Sequence, residues 1–304
     1  MTGDADTKPR AQSMAAFRPM RADEIFHALN LMSKEGWAYS EADVRNFLSW
    51  EPEGNIVGEM DGIPVAYLTT ISYGQFGWVG NVVVREDLRG TGLGRALVEA
   101  AEEYLTMKGA ATTVLNAYVH TVEFYLHLGY RDKARLWVCR GAMHPRVKPQ
   151  GGPDGPGGAL EVSVLKDVSE VAELDSMVFG GDRRRVLARM IKLNPGLGRV
   201  LRENGKVVGY LLAKRWAGGL EMGPIICPQR LRAKGLRAML DSIVDGPNPD
   251  NPGFMVVTGS GRELEGLLAE YGLSPGDMMV MMFRGRDPTM RLDDIVAIGA
   301  LEKG

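Results

Sequence analysis

Two stretches of this 304-residue chain combine residue types at spacings suited to chemistry. The first is "NVVVREDLRGTGLGRALVEAAEEYL", residues 81 to 105. An apolar run stops at Arg85, glycines follow at 90, 92 and 94, and a helical pattern then begins. After a strand, bare backbone N–H groups at a helix N-terminus form an anion site. Glycines let a phosphate approach the backbone closely and permit left-handed dihedrals. Arg89 and Arg95 bracket the turn and could add charge-assisted bonds to phosphate oxygens. The same residues also read as a glycine-rich turn with two solvated arginines. Two other phosphate motifs fail. The dinucleotide fingerprint needs G-x-G-x-x-G, but Arg95 holds its last position and Asn116 replaces the acidic ribose ligand. A P-loop needs Gly-Lys-Ser/Thr, which is absent. The second stretch is "EFYLHLGY", residues 123 to 130, where Tyr125 follows Phe124. Taken alone, it reads as a half-buried helix tyrosine.

The elements that must position these residues come from an ordinary globular composition, 45% hydrophobic and 24% charged. The length suggests about two domains at ~150 residues each. With 36 basic and 38 acidic residues the chain lacks the footprint of a general nucleic-acid binder. No apolar run approaches the ~18 residues of a membrane span. Residues 1–14 read as a disordered tail without the apolar core of a signal peptide. Cys139 and Cys227 each fall in an expected strand. A disulfide framework is not indicated, and a reducing cytoplasm is the expected compartment. His27, His120, His127 and His144 have no partner at ligand spacing, so no metal is expected.

The segment "RVKPQGGPDGPGGA", 146–159, reads as a Gly/Pro linker between domains at 15–145 and 160–304. The two halves are related. Gly62 pairs with Gly205, Tyr67 with Tyr210, Gly80 with Gly223, Arg89 with Arg232, Gly92 with Gly235, Val114 with Val257 and Gly129 with Gly272. Each difference is 143 (205 − 62 = 272 − 129), which predicts a gap-free register from about 55 to 130. This is an internal duplication of two units.

Within the first unit the pattern predicts strands at 15–20, 55–60, 64–72, 78–85, 111–116 and 134–140. It predicts helices at 22–34, 41–49, 92–108 and 120–127. "MDGI" and "ENGK" carry the Asp-Gly and Asn-Gly signals of a β-hairpin. The expected fold class is α+β, a mixed sheet flanked by helices, twice over.

The turn R-G-x-G-x-G at Arg89 to Gly94, with "EFYLHLGY" some thirty residues later, resembles the GCN5-related N-acetyltransferase (GNAT) family. The likeness covers essentially all of 15–141. It implies two tandem GNAT-like acyl-CoA N-acyltransferase domains with acetyl-CoA as co-substrate. By resemblance, Arg89, Gly90, Thr91, Gly92, Leu93, Gly94 and Arg95 would bind pyrophosphate through their backbone. Val82, Val83 and Val84 form the strand whose main-chain groups would hold the pantetheine arm. Tyr125 stands in the place of the acid that protonates the departing thiolate. Attack of an amine on a thioester needs just such groups: an oxyanion donor and a proton source.

The sequence departs from that family at Tyr118, often asparagine, and at Thr121, often alanine. No carboxylate lies on 76–84, where many relatives keep a general base. Glu51, Glu123 and His120 are substitutes, and the base stays unassigned. In the second copy Ala233 replaces Gly90, Arg237 replaces Gly94, and Leu268 replaces Tyr125. A degenerate domain that closes over or stabilises the acceptor cleft is the expectation, with a second, regulatory ligand site as the alternative. "LDSMVFGGDRRRVLARM", 174–190, resembles the C-terminal domain of a bacterial and archaeal tandem acetyltransferase group. Its "DRRRVLAR" face is expected to be solvated, and the methionines of "DMMVMMFRG" are expected to fill core space. The expected acceptor is a small-molecule or peptide amine, with no nucleic-acid or membrane partner and the oligomeric state open. The rival class is a CoA-binding regulator without turnover.

Overall fold

The computed structural model describes residues 15–147, 160–216, 219–244, 252–258 and 262–304. The expected tail, and residues 148–159 of the expected linker, lie outside the described residues. The first half runs β1 (Ala16–Pro19), α1 (Ile25–Lys34), α2 (Glu41–Trp50), β2 (Asn55–Met60), β3 (Ile63–Ser72) and β4 (Phe76–Val84). It continues with α3 (Leu93–Met107), β5 (Thr112–Tyr118), α4 (Val122–His127) and β6 (Arg131–Ala142). The second half repeats the order: β7 (Leu160–Val164), α5 (Ala172–Phe179), α6 (Arg184–Leu193), β8 (Arg199–Glu203), β9 (Lys206–Trp216) and β10 (Gly219–Ile226). Then come α7 (Arg237–Asp241), β11 (Pro252–Thr258), α8 (Arg262–Ala269) and β12 (Ser274–Gly285). One strand has no counterpart in the first half and no forecast in the sequence pattern: β13 (Ile295–Ala297). No helix among the described residues is long and apolar enough to cross a membrane.

By packing, the chain forms two compact units whose borders cut across this repeat. One holds the described part of Met1–Thr69 with Asn81–Glu102; the other holds Thr70–Gly80 with Glu103–Gly304. In the first unit β1 and β3 flank β2 in antiparallel pairing, with Phe17 opposite Gly58 and Val57 opposite Tyr67. The hairpin turn has Asp61 and Gly62 both left-handed, at φ 51° and 78°, the geometry that Asp-Gly favours. The second unit repeats the device with Asn204 and Gly205, at φ 50° and 78°. It also repeats the pairing, Val200 opposite Tyr210, with a bulge one residue later in both copies.

In the second unit β12 lies between β5 and β6, and β6 lies between β12 and β11. The strand predicted at 134–140 does not close its own half: each half closes against the other's last strand. Leu136 pairs with Met279, and 279 − 136 = 143, so a local pseudo-two-fold axis passes through that pair. Both side chains are buried, as are Met281 and Met282.

The duplication is not gap-free. The parallel ladder of β4 and β5 ends at Val79↔Leu115 and that of β10 and β11 at Met222↔Met255. Here 222 − 79 = 143 but 255 − 115 = 140. The exchanged strands agree: Phe283↔Val114 corresponds to Arg140↔Phe254. Val114 therefore matches Phe254 rather than Val257, and the shift is undone by β12.

The basic face of 182–189 is not wholly solvated. Arg183 turns inward and is buried with Asp175, 2.8 Å from Nη2 to Oδ1. Tyr210 donates to the same carboxylate, and Arg183 Nη1 reaches the Gly304 carbonyl at 2.9 Å. The guanidinium lies 3.9 Å over the Phe179 ring. A buried pair stripped of one partner leaves an uncompensated charge, at a cost of about 3–5 kcal/mol, whereas apolar replacement of both is near neutral. Arg183→Met should therefore lower unfolding free energy by about 3–5 kcal/mol, and Arg183→Met with Asp175→Leu should restore much of it. Urea titration checks this; a single variant as stable as wild type would refute the network's role.

Candidate functional site

The candidate residues fall on both units, and each set is built within its own unit. In the first, β4 ends at Val84 and Arg85 N–H donates to the Val65 carbonyl at 2.8 Å. Upstream, Asn81 sits at φ 52°, a left-handed residue inside a strand. A short 3-10 turn at Glu86–Leu88 follows. Gly90 and Gly92 then take φ 77° and 90°, where a side chain costs about 1–2 kcal/mol per residue. A Cβ at either glycine would meet nothing within 4 Å, so the space over the turn is open. Thr91 Oγ1 donates to the Leu88 carbonyl at 2.7 Å and fixes the turn. Helix α3 starts at Leu93, and its first closed bond runs from Ala96 N–H to the Gly92 carbonyl at 3.1 Å. The N–H groups ahead of Ala96 point out of the helix end, as an anion requires. Gly94 lies in that first turn, and Leu93 is buried beneath it.

The arginines behave differently from one another. Arg89 Nε donates to the Val84 carbonyl at 3.2 Å, and its Nη2 pairs with Glu35. Arg95 is half-exposed, 3.7 Å from Glu99 one helical turn on. Arg89 therefore braces the strand end while the glycines shape the turn. On β4, Val83 is buried while Val82 and Val84 are partly exposed.

In the second unit Tyr125 occupies α4, 8% exposed, with its ring edge-on to Phe124 and Tyr130 at 5.0 and 5.6 Å. The downstream glycine explains itself. Gly129 is left-handed at φ 85°, Gly129 N–H donates to the Leu126 carbonyl, and Tyr130 N–H donates to Tyr125's own carbonyl. This double bond pattern ends a helix only where a left-handed residue is available, and it folds Tyr130 back on Tyr125. Burial pushes the Tyr125 phenol well above its ordinary value. Its hydroxyl makes no hydrogen bond among the described residues.

Of the base candidates, Glu51 is buried at the end of α2. Glu123 faces His127, and His120 stacks on Tyr118 at 5.6 Å. Both cysteine thiols are buried, Cys139 pushed up to about 11 and Cys227 to about 12.

The second copy has lost the turn in three ways. Arg232–Leu236 winds as a π-helix, and Gly235 presses on Leu201 and Cys227, 2.6 and 3.2 Å from its ideal Cβ. Arg237 pairs with Glu270 and donates to the Ala233 carbonyl. Beyond Met222↔Met255, β13 fills the space between the diverging strands, with Ala297 opposite both Ile225 and Val257. The helix stop survives: Gly272 is left-handed at φ 79° and Leu273 N–H bonds the Leu268 carbonyl. The phenol does not.

Sequence reasoning missed β13, Trp78, Asn116 and residues 301–304. Trp78 Nε1 and Asn116 Nδ2 both donate to the Leu301 carbonyl, at 3.0 and 3.2 Å. The backbone of Glu302 lies against Gly80, 2.5 Å from its ideal Cβ. Only Asn116, a polar residue ending an apolar strand, gave a signal in the sequence.

The Acetyltransferase (GNAT) family model matches residues 22–130, and the Acetyltransferase (GNAT) domain model matches residues 171–296. The chain belongs to the GCN5-related N-acetyltransferase superfamily and carries two of its domains in tandem. The uncharacterized N-acetyltransferase YitH of Bacillus subtilis is 23% identical over 238 residues, 75% of this chain and 78% of YitH. Holothin acyltransferase of a Pseudoalteromonas species is 23% identical over 279 residues, 89% and 88% of the two chains. In fold, a candidate acetyltransferase from Pyrococcus horikoshii matches the whole of both chains at TM-score 0.76 and 19% identity. A tandem GNAT protein from the clavulanic acid biosynthesis pathway covers 90% of this chain and 99% of its own at TM-score 0.60 and 17% identity.

If the open turn is a phosphate site, Gly92→Asp should weaken CoA binding at least about tenfold, because it adds like charge and about 1–2 kcal/mol of left-handed strain. Isothermal titration, with circular dichroism to check the fold, decides this. Undiminished CoA affinity would remove the turn from the site.

Proposed function

We propose that the protein is an acetyl-CoA-dependent N-acetyltransferase with one working site per chain. The first copy, 15–145, carries that site, and the second, 160–304, supports it without binding CoA. The contrast between the two turns carries the reading. Gly90 and Gly92 are left-handed and open ahead of a fifteen-residue helix, whereas Arg232–Leu236 is helical and β13 fills the adjoining groove.

In this reading the backbone from Arg89 to Arg95 holds the pyrophosphate, and Val82 to Val84 align the pantetheine arm. Acetyl-CoA supplies the activated acyl group, and the acceptor is a primary amine of a small molecule or peptide. Tyr125 keeps its proton because burial opposes phenolate formation, so it can donate to the leaving thiolate. The site needs no metal. A regulatory CoA binder would have no use for the phenol.

The direct test pairs CoA titration with thiol release from acetyl-CoA across a panel of primary amines. One CoA per chain with thiol release for some amine supports the enzyme; CoA binding without any release supports the regulator. Tyr125→Phe should lower kcat by about a hundredfold with CoA affinity unchanged. The pH profile carries a sign as well. A phenol raised above its ordinary value of about 10 stays protonated through the working range. Tyr125 should therefore impose no fall in kcat up to about pH 10. An alkaline limb below that pH, abolished by Tyr125→Phe, would contradict the upward shift that burial gives the phenol.

A further inference from the structure

We infer that Glu35 is a positioning residue for the CoA turn, acting through Arg89, an assignment that rests on the reading of 89–95 as the pyrophosphate turn. Both residues, the turn and the strand end beside it belong to the first unit. Arg89 is held to the side of the turn. Its Nε donates to the Val84 carbonyl at 3.2 Å, and its Nη2 pairs with the Glu35 carboxylate. A Cβ at Gly92 would meet nothing within 4 Å, so the guanidinium does not cover that glycine.

The carboxylate comes from a rigid support. Glu35 ends α1, where Gly36 is left-handed at φ 75°. Gly36 N–H donates to the Ser33 carbonyl and Trp37 N–H to the Met32 carbonyl. This paired stop fixes the chain around the glycine, and Met32 is wholly buried. The turn, by contrast, has only local bonds of its own. Leu88 N–H donates to the Arg85 carbonyl, Arg89 N–H to Glu86, and Thr91 Oγ1 to Leu88. Its two glycines have the most conformational freedom to lose when a ligand orders them. A tether from the end of α1 through Arg89 to Val84 holds the entrance to the turn, and a loop held in its bound shape binds more tightly.

The second copy supplies the control. Arg232 keeps the arginine, but its Nη2 donates to the Asp293 carbonyl. The residue before Gly180, the left-handed glycine that ends α5, is Phe179, and it is buried. Where the turn has wound into a helix the carboxylate is gone. Where the turn is open it stands.

The test measures CoA affinity of the full chain by isothermal titration, with circular dichroism to check the fold. Glu35→Ala should weaken CoA about three- to fivefold, the scale of an exposed ion pair. Glu35→Gln, which keeps an acceptor for Arg89 Nη2, should stay within about twofold of wild type. Arg89→Met should weaken CoA at least as much as Glu35→Ala with binding still measurable, and adding Glu35→Ala to it should change nothing more. An unchanged or tighter affinity in Glu35→Ala overturns the assignment, as does the same weakening in both arginine backgrounds. A glutamine variant as weak as the alanine one overturns it too, because charge and not position is then the cause. Loss of all binding in Arg89→Met makes the guanidinium a direct phosphate ligand and overturns the tether. Failure of CoA to bind the wild-type chain overturns the pyrophosphate reading instead, and this assignment with it.

Discussion

The exchange of closing strands is the constraint on which the rest depends. Leu136 of β6 faces Met279 of β12 across a local two-fold axis, and each strand seals the other half's sheet. Removing either half would leave β5 or β11 with an exposed edge, a site of aggregation that folded proteins avoid. The second copy completes that sheet whatever chemistry it retains. That explains a divergence confined to certain places. The hairpin turn, the Val200–Tyr210 register and the bulge after it are preserved, while the glycines at 90 and 94 and the phenol at 125 are replaced.

The same economy appears at the diverging strands. A parallel pair that splays apart leaves backbone groups without partners, and these must be satisfied. The second copy satisfies them with its own β13, antiparallel to both β10 and β11. The chain then runs on from Ile298 to Leu301–Gly304, whose carbonyl at Leu301 takes bonds from Trp78 and Asn116. One short segment thus fills the groove of the second copy and lines strand β4 of the first. Its charges are compensated internally, Lys303 with Glu302 and Glu221, and Glu221 with Lys214.

Much of this was legible in the sequence because it is local. The Asp-Gly and Asn-Gly turns and the start of α3 all follow from the backbone needs of single residues. The family was legible for the same reason, since its motifs are backbone requirements written as glycines. What the sequence hid is long-range. Strand exchange leaves no mark on the alternation within β6 or β12, since either partner buries the same faces. The inward turn of Arg183 depends on Asp175 and Tyr210, eight and 27 residues away. β13 is three residues long, too short for periodicity to show. The three-residue shift at β11 could be seen only through pairing.

The central claim is that one turn in each chain holds CoA and that its copy does not. Hydrogen exchange read by mass spectrometry, with and without CoA, tests it most directly. The account predicts slowed exchange of amides in 82–96 and no change in 219–237. Equal protection of the two segments would contradict it.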